Sequence, residues 1–177
     1  MFTQIAVFLL NIVFGLLVGA ALLRCYMNFT RVPLANPLGQ FILALTDWLV
    51  KPLRKILPAV GRFDWASFAA ALLLSVLSAV LMSLLVNLSP GGIVGVVVFA
   101  LEEMLRVALQ GLMLLLLVYA VLSWVSSDSP LYNILARMFA PLLAPIRRVV
   151  PLVGGVDLSP LVLIVLLQIG LMLLARI

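Results

Sequence analysis

Two basic pairs stand in the same local setting in this chain, and their residue types and spacing suit binding chemistry. Each pair is bracketed by prolines and followed by a glycine and an aspartate: Arg54 and Lys55 with Pro52, Pro58, Gly61 and Asp64, and Arg147 and Arg148 with Pro145, Pro151, Gly154 and Asp157. Near phosphate level, each base is worth about 1 kcal/mol against an anionic membrane surface. The pattern predicts two copies of a site for anionic phospholipid, cardiolipin included, or for an acidic segment of an unidentified membrane-protein partner.

A plainer interpretation of the same bases is that they only determine membrane topology and anchor the chain to headgroups. The two aspartates, Asp64 and Asp157, precede apolar runs, where a carboxylate caps a helix and suits the positive end of its dipole. A salt bridge to the nearby basic pair is compatible with capping. The prolines and glycines of the repeated segment are expected to form its turns.

The sequence predicts neither an enzyme nor a metal or cofactor site. It has no histidine and one cysteine, so a metal would need carboxylates, and most of the six acids are scattered. No nucleophile or base stands beside Asp64 or Asp157 as a catalytic partner. The single cysteine excludes an internal disulfide.

The composition is that of a membrane protein. Hydrophobic residues make up 66% of the chain and charged residues 10%, and the mean hydropathy is +1.36. The formal charge of +5 favours anionic lipid as a partner. No nucleic-acid-binding motif is present among the bases, and none is predicted.

Four hydrophobic runs predict an all-α protein with four transmembrane helices: Phe2–Leu23, Trp65–Leu88, Ile93–Val125 and Leu158–Ile177. A cleaved signal peptide is the alternative for the first run, although that run is long and lacks a basic leader. The third run exceeds one span, and a crossing from Arg106 to Val125 would leave Glu102 and Glu103 in the interface.

The bases predict the orientation. Four crossings place nine lysines and arginines in the two long loops, 24–64 and 126–157, and leave Arg106 and Arg176 on the other side. Under the positive-inside rule the two basic loops are cytoplasmic, and both termini are periplasmic. The predicted location is the bacterial inner membrane, with several crossings.

An internal repeat relates the two halves of the chain. Pro37 and Asp64 recur 93 positions later as Pro130 and Asp157, with the intervening matches in register and no gap. The predicted repeats are residues 1–88 and 89–177. Because each holds an even number of crossings, the copies are expected to be parallel.

A helix is predicted to begin in each loop. Asn36-Pro37 and Ser129-Pro130 each supply a side-chain N-cap followed by proline at the first helical position. In the first copy, one predicted face is apolar and comprises Phe41, Ile42, Leu45, Trp48 and Leu49, which describes an amphipathic helix in the membrane surface. A re-entrant segment packed inside the bundle is the alternative. Pro52 and Pro145 are expected to end these helices and leave the bases on a separate short turn.

These motifs resemble the YggT family of bacterial integral membrane proteins and its single-copy plastid relatives, the YlmG-like proteins. The matching segments are Asn36-Pro37, the stretch 52–58, Ser123-Trp124 and the stretch 154–160. The family usually has Thr-Asp-Pro before its basic turn, whereas this chain has Thr46-Asp47-Trp48, so no role is assigned to Asp47. The resemblance implies links to osmotic stress and potassium uptake, to cell or plastid division and to cytochrome maturation.

The favoured hypothesis is a non-enzymatic scaffold or assembly factor of the inner membrane, whose cytoplasmic basic loops engage anionic lipid or a membrane-protein partner. The alternative is a transport protein or an accessory subunit that affects potassium or osmolyte flux. Because four spans enclose little lumen, a pore would require a homo-oligomer.

Overall fold

The computed structural model describes residues 1–58, 61, 63–86, 92–150 and 157–176. These residues form six α-helices: α1 (Phe2–Phe29), α2 (Pro37–Ile56), α3 (Trp65–Val86), α4 (Gly92–Val125), α5 (Pro130–Arg147) and α6 (Ser159–Leu174). The chain divides into two compact units, Met1–Ala108 and Leu109–Ile177, so the division falls within α4. The repeat boundary after residue 88 stays a prediction.

Three helices, α1, α3 and α4, are long and apolar enough to cross a membrane, which makes this a membrane protein. Helix α6 is also apolar but has 16 residues, fewer than the roughly 20 that a straight crossing needs. The four-crossing arrangement therefore stays a prediction.

The first helix is longer than its apolar run. It continues past Leu23 to Phe29 and so includes Arg24, which the sequence places in the loop. The helix ends in a Schellman motif, in which the Val32 N–H donates to Met27 O at 2.9 Å and the Arg31 N–H donates to Asn28 O at 3.1 Å. Arg31 occupies the left-handed position of this motif with φ of 55°. Glycine is usual there, because a side chain in that conformation costs about 1–2 kcal/mol.

The prediction that Pro52 and Pro145 end the loop helices is wrong. Pro52 lies inside α2 and Pro145 inside α5, which also contains Pro141. Both Pro52 and Pro145 are exposed and lie in the last turns, so each removes one hydrogen bond without creating a buried unpaired group. In α2 the helix closes normally, since the Leu57 N–H donates to Leu53 O at 2.8 Å. The bases therefore lie at the carboxyl ends of the helices, where a positive charge suits the dipole.

In the first unit, α2 packs against both α1 and α3. The shared core comprises Val18, Ala21, Val50, Ala66, Ala70, Ala71 and Leu74. The buried stripe of α2 consists of Gly39, Ile42, Thr46 and Val50. The predicted apolar face is thus divided, because Ile42 packs inward whereas Phe41 and Trp48 are 55% and 61% exposed.

Both loop helices begin with the predicted side-chain caps. Asn36 Oδ1 accepts the Gly39 N–H at 2.8 Å, and Ser129 Oγ accepts the Tyr132 N–H at 3.1 Å. At Gly39 the helix lies directly on the preceding loop, since an added Cβ would be 2.3 Å from Leu34 O. A side chain at this position would require the backbone to move.

The second unit has its own packed elements, with α5 in contact with α6. Helix α5 buries Leu135, Met138, Phe139 and Leu143, which recur at helical spacing. Helix α6 buries Ser159, Pro160 and Leu163 near its start.

Helix α4 carries three charged residues that pair with one another. Arg106 Nη2 lies 2.8 Å from Glu102 Oε1, and Arg106 Nε lies 3.6 Å from Glu103 Oε2. In the same segment Met104 and Val107 pack against the core of the first unit. The three charges sum to −1, and their pairing lowers the cost of placing them on an otherwise apolar helix.

Candidate functional site

The first candidate site is built around Asp64, which is 0% exposed. Its carboxylate pairs with Arg54 from the last turn of α2. It also caps α3, where Oδ1 accepts the Ser67 N–H at 3.2 Å and Oδ2 accepts the Ser67 hydroxyl at 2.9 Å. The Asn28 amide lies 3.5 Å away, so three segments of the chain meet at one carboxylate.

The second site repeats the ion pair with different neighbours. Arg147 donates from Nε and Nη2 to Asp157 Oδ2 at 2.9 and 2.8 Å. Asp157 Oδ1 accepts the Ser159 N–H at 2.9 Å, which joins the carboxylate to the start of α6. Arg147 Nη2 also donates to the Tyr119 hydroxyl at 3.0 Å, and the Tyr119 ring stacks on Tyr132 with centroids 5.3 Å apart.

The electrostatics of the second pair fit a charged bridge that is partly open to water. Partial burial opposes ionisation of Asp157, but Ser159 and Arg147 hold the pKa of its carboxyl below the ordinary value of 3.8. The pKa of Arg147 is raised, since hydrogen bonds from its guanidinium to Asp157 and Tyr119 outweigh the desolvation that lowers it. Both groups are ionised at neutral pH.

The second base of each predicted pair has a different environment from the first. All four bases are exposed, so the difference lies in their partners. Within the described part of the chain, neither Lys55 nor Arg148 makes an ion pair, whereas Arg54 and Arg147 each bind an aspartate. One base of each pair thus joins the helix end to the next segment, and the other can reach a ligand. We call Lys55 and Arg148 the exposed bases.

The predicted turn residues lie in different kinds of local structure. Pro58 is exposed one residue beyond the cap of α2, and Gly61 adopts a left-handed φ of 65°. Pro52 and Pro145 are helical. Pro151 and Gly154 lie outside the described residues.

A polar cluster around the buried side chain of Arg24 is not predicted by the sequence. Arg24 is 3% exposed, and its Nη1 lies 2.8 Å from both Thr46 Oγ1 and Asp47 Oδ1. Lys51 Nζ pairs with the other oxygen of Asp47 at 2.8 Å. The hydrogen bond from Lys51 and then that from Arg24 hold the pKa of Asp47 below 3.8 against the opposing effect of desolvation. The i,i+4 spacing of Asp47 and Lys51 is the one local signal for this cluster.

Among the described residues, no group of three histidines, cysteines or acids is placed to hold a metal ion. The geometry instead offers cations at the carboxyl ends of two helices, each fixed by an aspartate from the following segment. Such an arrangement can bind an anion.

The model of the CCB3/YggT family matches residues 3–85 and 98–177. Over 165 residues the chain is 35% identical to the uncharacterized protein YggT of Escherichia coli (strain K12), covering 92% of this chain and 85% of that protein. Over 163 residues it is 37% identical to the uncharacterized protein in the proC 3′ region of Vibrio alginolyticus, covering 91% and 88%. An uncharacterized Haemophilus influenzae protein is 30% identical over 148 residues, covering 82% and 78%. No solved structure matches.

Proposed function

This chain belongs to the CCB3/YggT family, and we propose that it is a non-enzymatic scaffold or assembly factor of the bacterial inner membrane. In this proposal the exposed bases, Lys55 and Arg148, bind anionic phospholipid or an acidic segment of a membrane-protein partner. The Arg–Asp pairs hold the helix ends that present them.

The proposed topology has four crossings in two parallel repeats, with the basic loops cytoplasmic and both termini periplasmic. Three observations support it. The family model matches two ranges of similar length. Each range holds the order of an apolar helix, a capped loop helix and a second apolar helix. The Arg–Asp pair spans ten positions in both copies.

The proposal rests on the difference between the two bases of each pair: one binds an aspartate of the chain, and the other makes no ion pair among the described residues. A base kept only to hold the fold would have a partner within the chain, as Arg54 and Arg147 do. Lys55 and Arg148 have no ion-pair partner among the described residues and lie in water-accessible positions. At phosphate level each is worth about 1 kcal/mol of attraction to an anionic leaflet.

The test compares two variants that remove the same charge. In Lys55→Gln/Arg148→Gln the exposed bases are lost, and in Arg54→Gln/Arg147→Gln the paired bases are lost. Lipids that co-purify with the full chain in mild detergent are quantified by mass spectrometry, and co-purifying proteins are identified from the same samples. Loss of the exposed bases should lower the ratio of phosphatidylglycerol and cardiolipin to phosphatidylethanolamine, or remove a specific partner, by about tenfold.

The paired-base variant should instead lower stability while the protein that remains folded keeps its lipid and partner profile. Cysteine-accessibility labelling of positions 57 and 149 controls for topology. An unchanged lipid ratio and an unchanged partner list in the exposed-base variant, with topology intact, would refute the proposal.

A further inference from the structure

A cleft of about 640 Å³ lies beside the first candidate site, at the end of α1. It is lined by Asn28, Arg31, Val32, Pro33, Leu34 and Gly61. Among the described residues the lining combines one cation, one amide and an apolar wall, and this combination suits a charged headgroup with its glycerol attached. Neither the basic pairs nor the polar cluster around Arg24 uses this space.

Arg31 is placed at the cleft by an unfavourable backbone conformation. It occupies the left-handed position of the Schellman motif, with φ of 55°. Glycine would fit this position without strain, so the arginine is present at the expense of stability. Its side chain is exposed and makes no ion pair within the described part of the chain. A positive charge suits the carboxyl end of α1, and the exposed guanidinium can also donate to a group outside the fold.

The charge around the cleft favours an anion. None of the described lining residues is acidic, and Asp64, which contacts the lining residue Asn28, is already paired with Arg54. Arg31 therefore leaves a net positive charge at the opening. In the topology proposed above, the cleft lies where α1 leaves the cytoplasmic leaflet, at the depth of the lipid phosphates.

We propose that this cleft binds the phosphodiester of a single anionic phospholipid, with the Arg31 guanidinium donating to the phosphate oxygens. The apolar wall formed by Val32, Pro33 and Leu34 accommodates the glycerol end of the headgroup. This inference rests on the lipid-binding part of the proposed function, and it adds a site with a defined stoichiometry of one lipid for each chain.

Substitutions at Arg31 distinguish a loss of lipid binding caused by the lost charge from one caused by unfolding. The full chain in mild detergent is titrated with phosphatidylglycerol, with phosphatidylcholine and with inorganic phosphate, and bound species are counted by native mass spectrometry. In Arg31→Gly the cation is lost and the strain is relieved, so the unfolding temperature should rise while affinity for phosphatidylglycerol falls by about tenfold. In Arg31→Lys the charge and the strain are both kept, and binding should stay within about threefold of the parent.

Arg176→Gln removes an equal charge on the proposed periplasmic side and should leave binding unchanged. Equal phosphatidylglycerol binding by the parent and Arg31→Gly would overturn the cleft while leaving the exposed bases as the lipid site. Equal affinity for phosphatidylcholine and phosphatidylglycerol in the parent would overturn both proposals. Inorganic phosphate that binds as tightly as the lipid would overturn the phospholipid as the occupant.

Discussion

The two Arg–Asp pairs have unlike surroundings, although they recur at the same spacing. In the first half of the chain Asp64 also contacts Asn28 and Ser67, and a separate polar cluster joins Arg24 to Thr46 and Asp47. The positions 93 residues later are Leu117, Phe139 and Ala140. In the second half the pair instead contacts Tyr119, whose ring stacks on Tyr132 and lies 6.0 Å from Phe139.

This comparison separates the interaction that the two halves share from the surrounding residues in which they differ. The Arg–Asp pair joins the end of the loop helix to the following segment in both halves, and we call this connection the junction. Its other hydrogen-bond partners are Asn28 and Ser67 in the first half and Tyr119 and Ser159 in the second. A buried ion pair and a packed apolar cluster of similar volume often have comparable net stability. The two copies therefore show two ways of supporting one junction, and the junction is the common requirement.

The largest expected effect comes from removing each aspartate of the pair in turn. Asp64 is 0% exposed and Asp157 25%. Asp64→Ala therefore leaves the buried N–H and hydroxyl of Ser67 without their partner, whereas Arg54 is 42% exposed and can bind water. We expect Asp64→Ala to lower the free energy of unfolding by about 3 kcal/mol and Asp157→Ala by about 1 kcal/mol. The measurement is unfolding of the full chain by SDS titration in mixed micelles. Equal losses would mean that the two junctions are energetically the same and that the difference in burial is irrelevant.

A smaller effect is expected from converting the polar cluster to the apolar type. Arg24→Leu alone removes the buried partner of Thr46 and Asp47, and it should cost about 2 kcal/mol, since Lys51 still pairs with Asp47. The triple variant Arg24→Leu/Thr46→Val/Asp47→Ala removes the unpaired groups as well. It should be more stable than Arg24→Leu in the same titration. A triple variant that loses at least the sum of the three single losses would show that the polar cluster has no apolar substitute in the first half.

The smallest expected effect is the loss of folding stability at low pH. The pKa values of Asp47 and Asp157 in the folded protein lie below 3.8, so the unfolded chain takes up protons at higher pH than the folded one. These groups contribute fully above about pH 4 and lose their contribution as pH falls through the folded values. Stability should be flat from pH 7 to 5 and decline below pH 4. Asp157→Asn and Asp47→Asn should each make that decline shallower, and a decline unchanged in both variants would contradict the assignment.

Much of the junction could be predicted because its determinants are close in sequence. Asn36 reaches the Gly39 N–H three residues away, and Asp64 reaches Ser67 over the same distance. The recurrence of Arg and Asp ten positions apart likewise needs no knowledge of packing. Capping and short loops act within a turn or two, so residue type and spacing were sufficient for these features.

The neighbours of the junction could not be predicted in the same way. Arg24 and Asp47 are 23 positions apart, and Tyr119 and Arg147 are 28 apart. Whether such residues meet depends on how long the preceding helix is and how the loop helix packs across it. The hydrophobic run ends at Leu23, so the sequence predicts Arg24 to be a loop residue, whereas the structure buries it within α1. Local rules also failed at Pro52, since proline is tolerated in an exposed last turn.

Because of Gly39, the loop helices of the two halves can be exchanged in one direction only. Its counterpart 93 positions later is Tyr132, whose ring stacks on that of Tyr119. Grafting the second loop helix into the first half would drive a tyrosine into the backbone at Leu34, where even a methyl group does not fit. The reverse graft would merely leave a stacking partner missing. A chimera with the first loop helix in both halves should therefore fold more readily than one with the second loop helix in both halves.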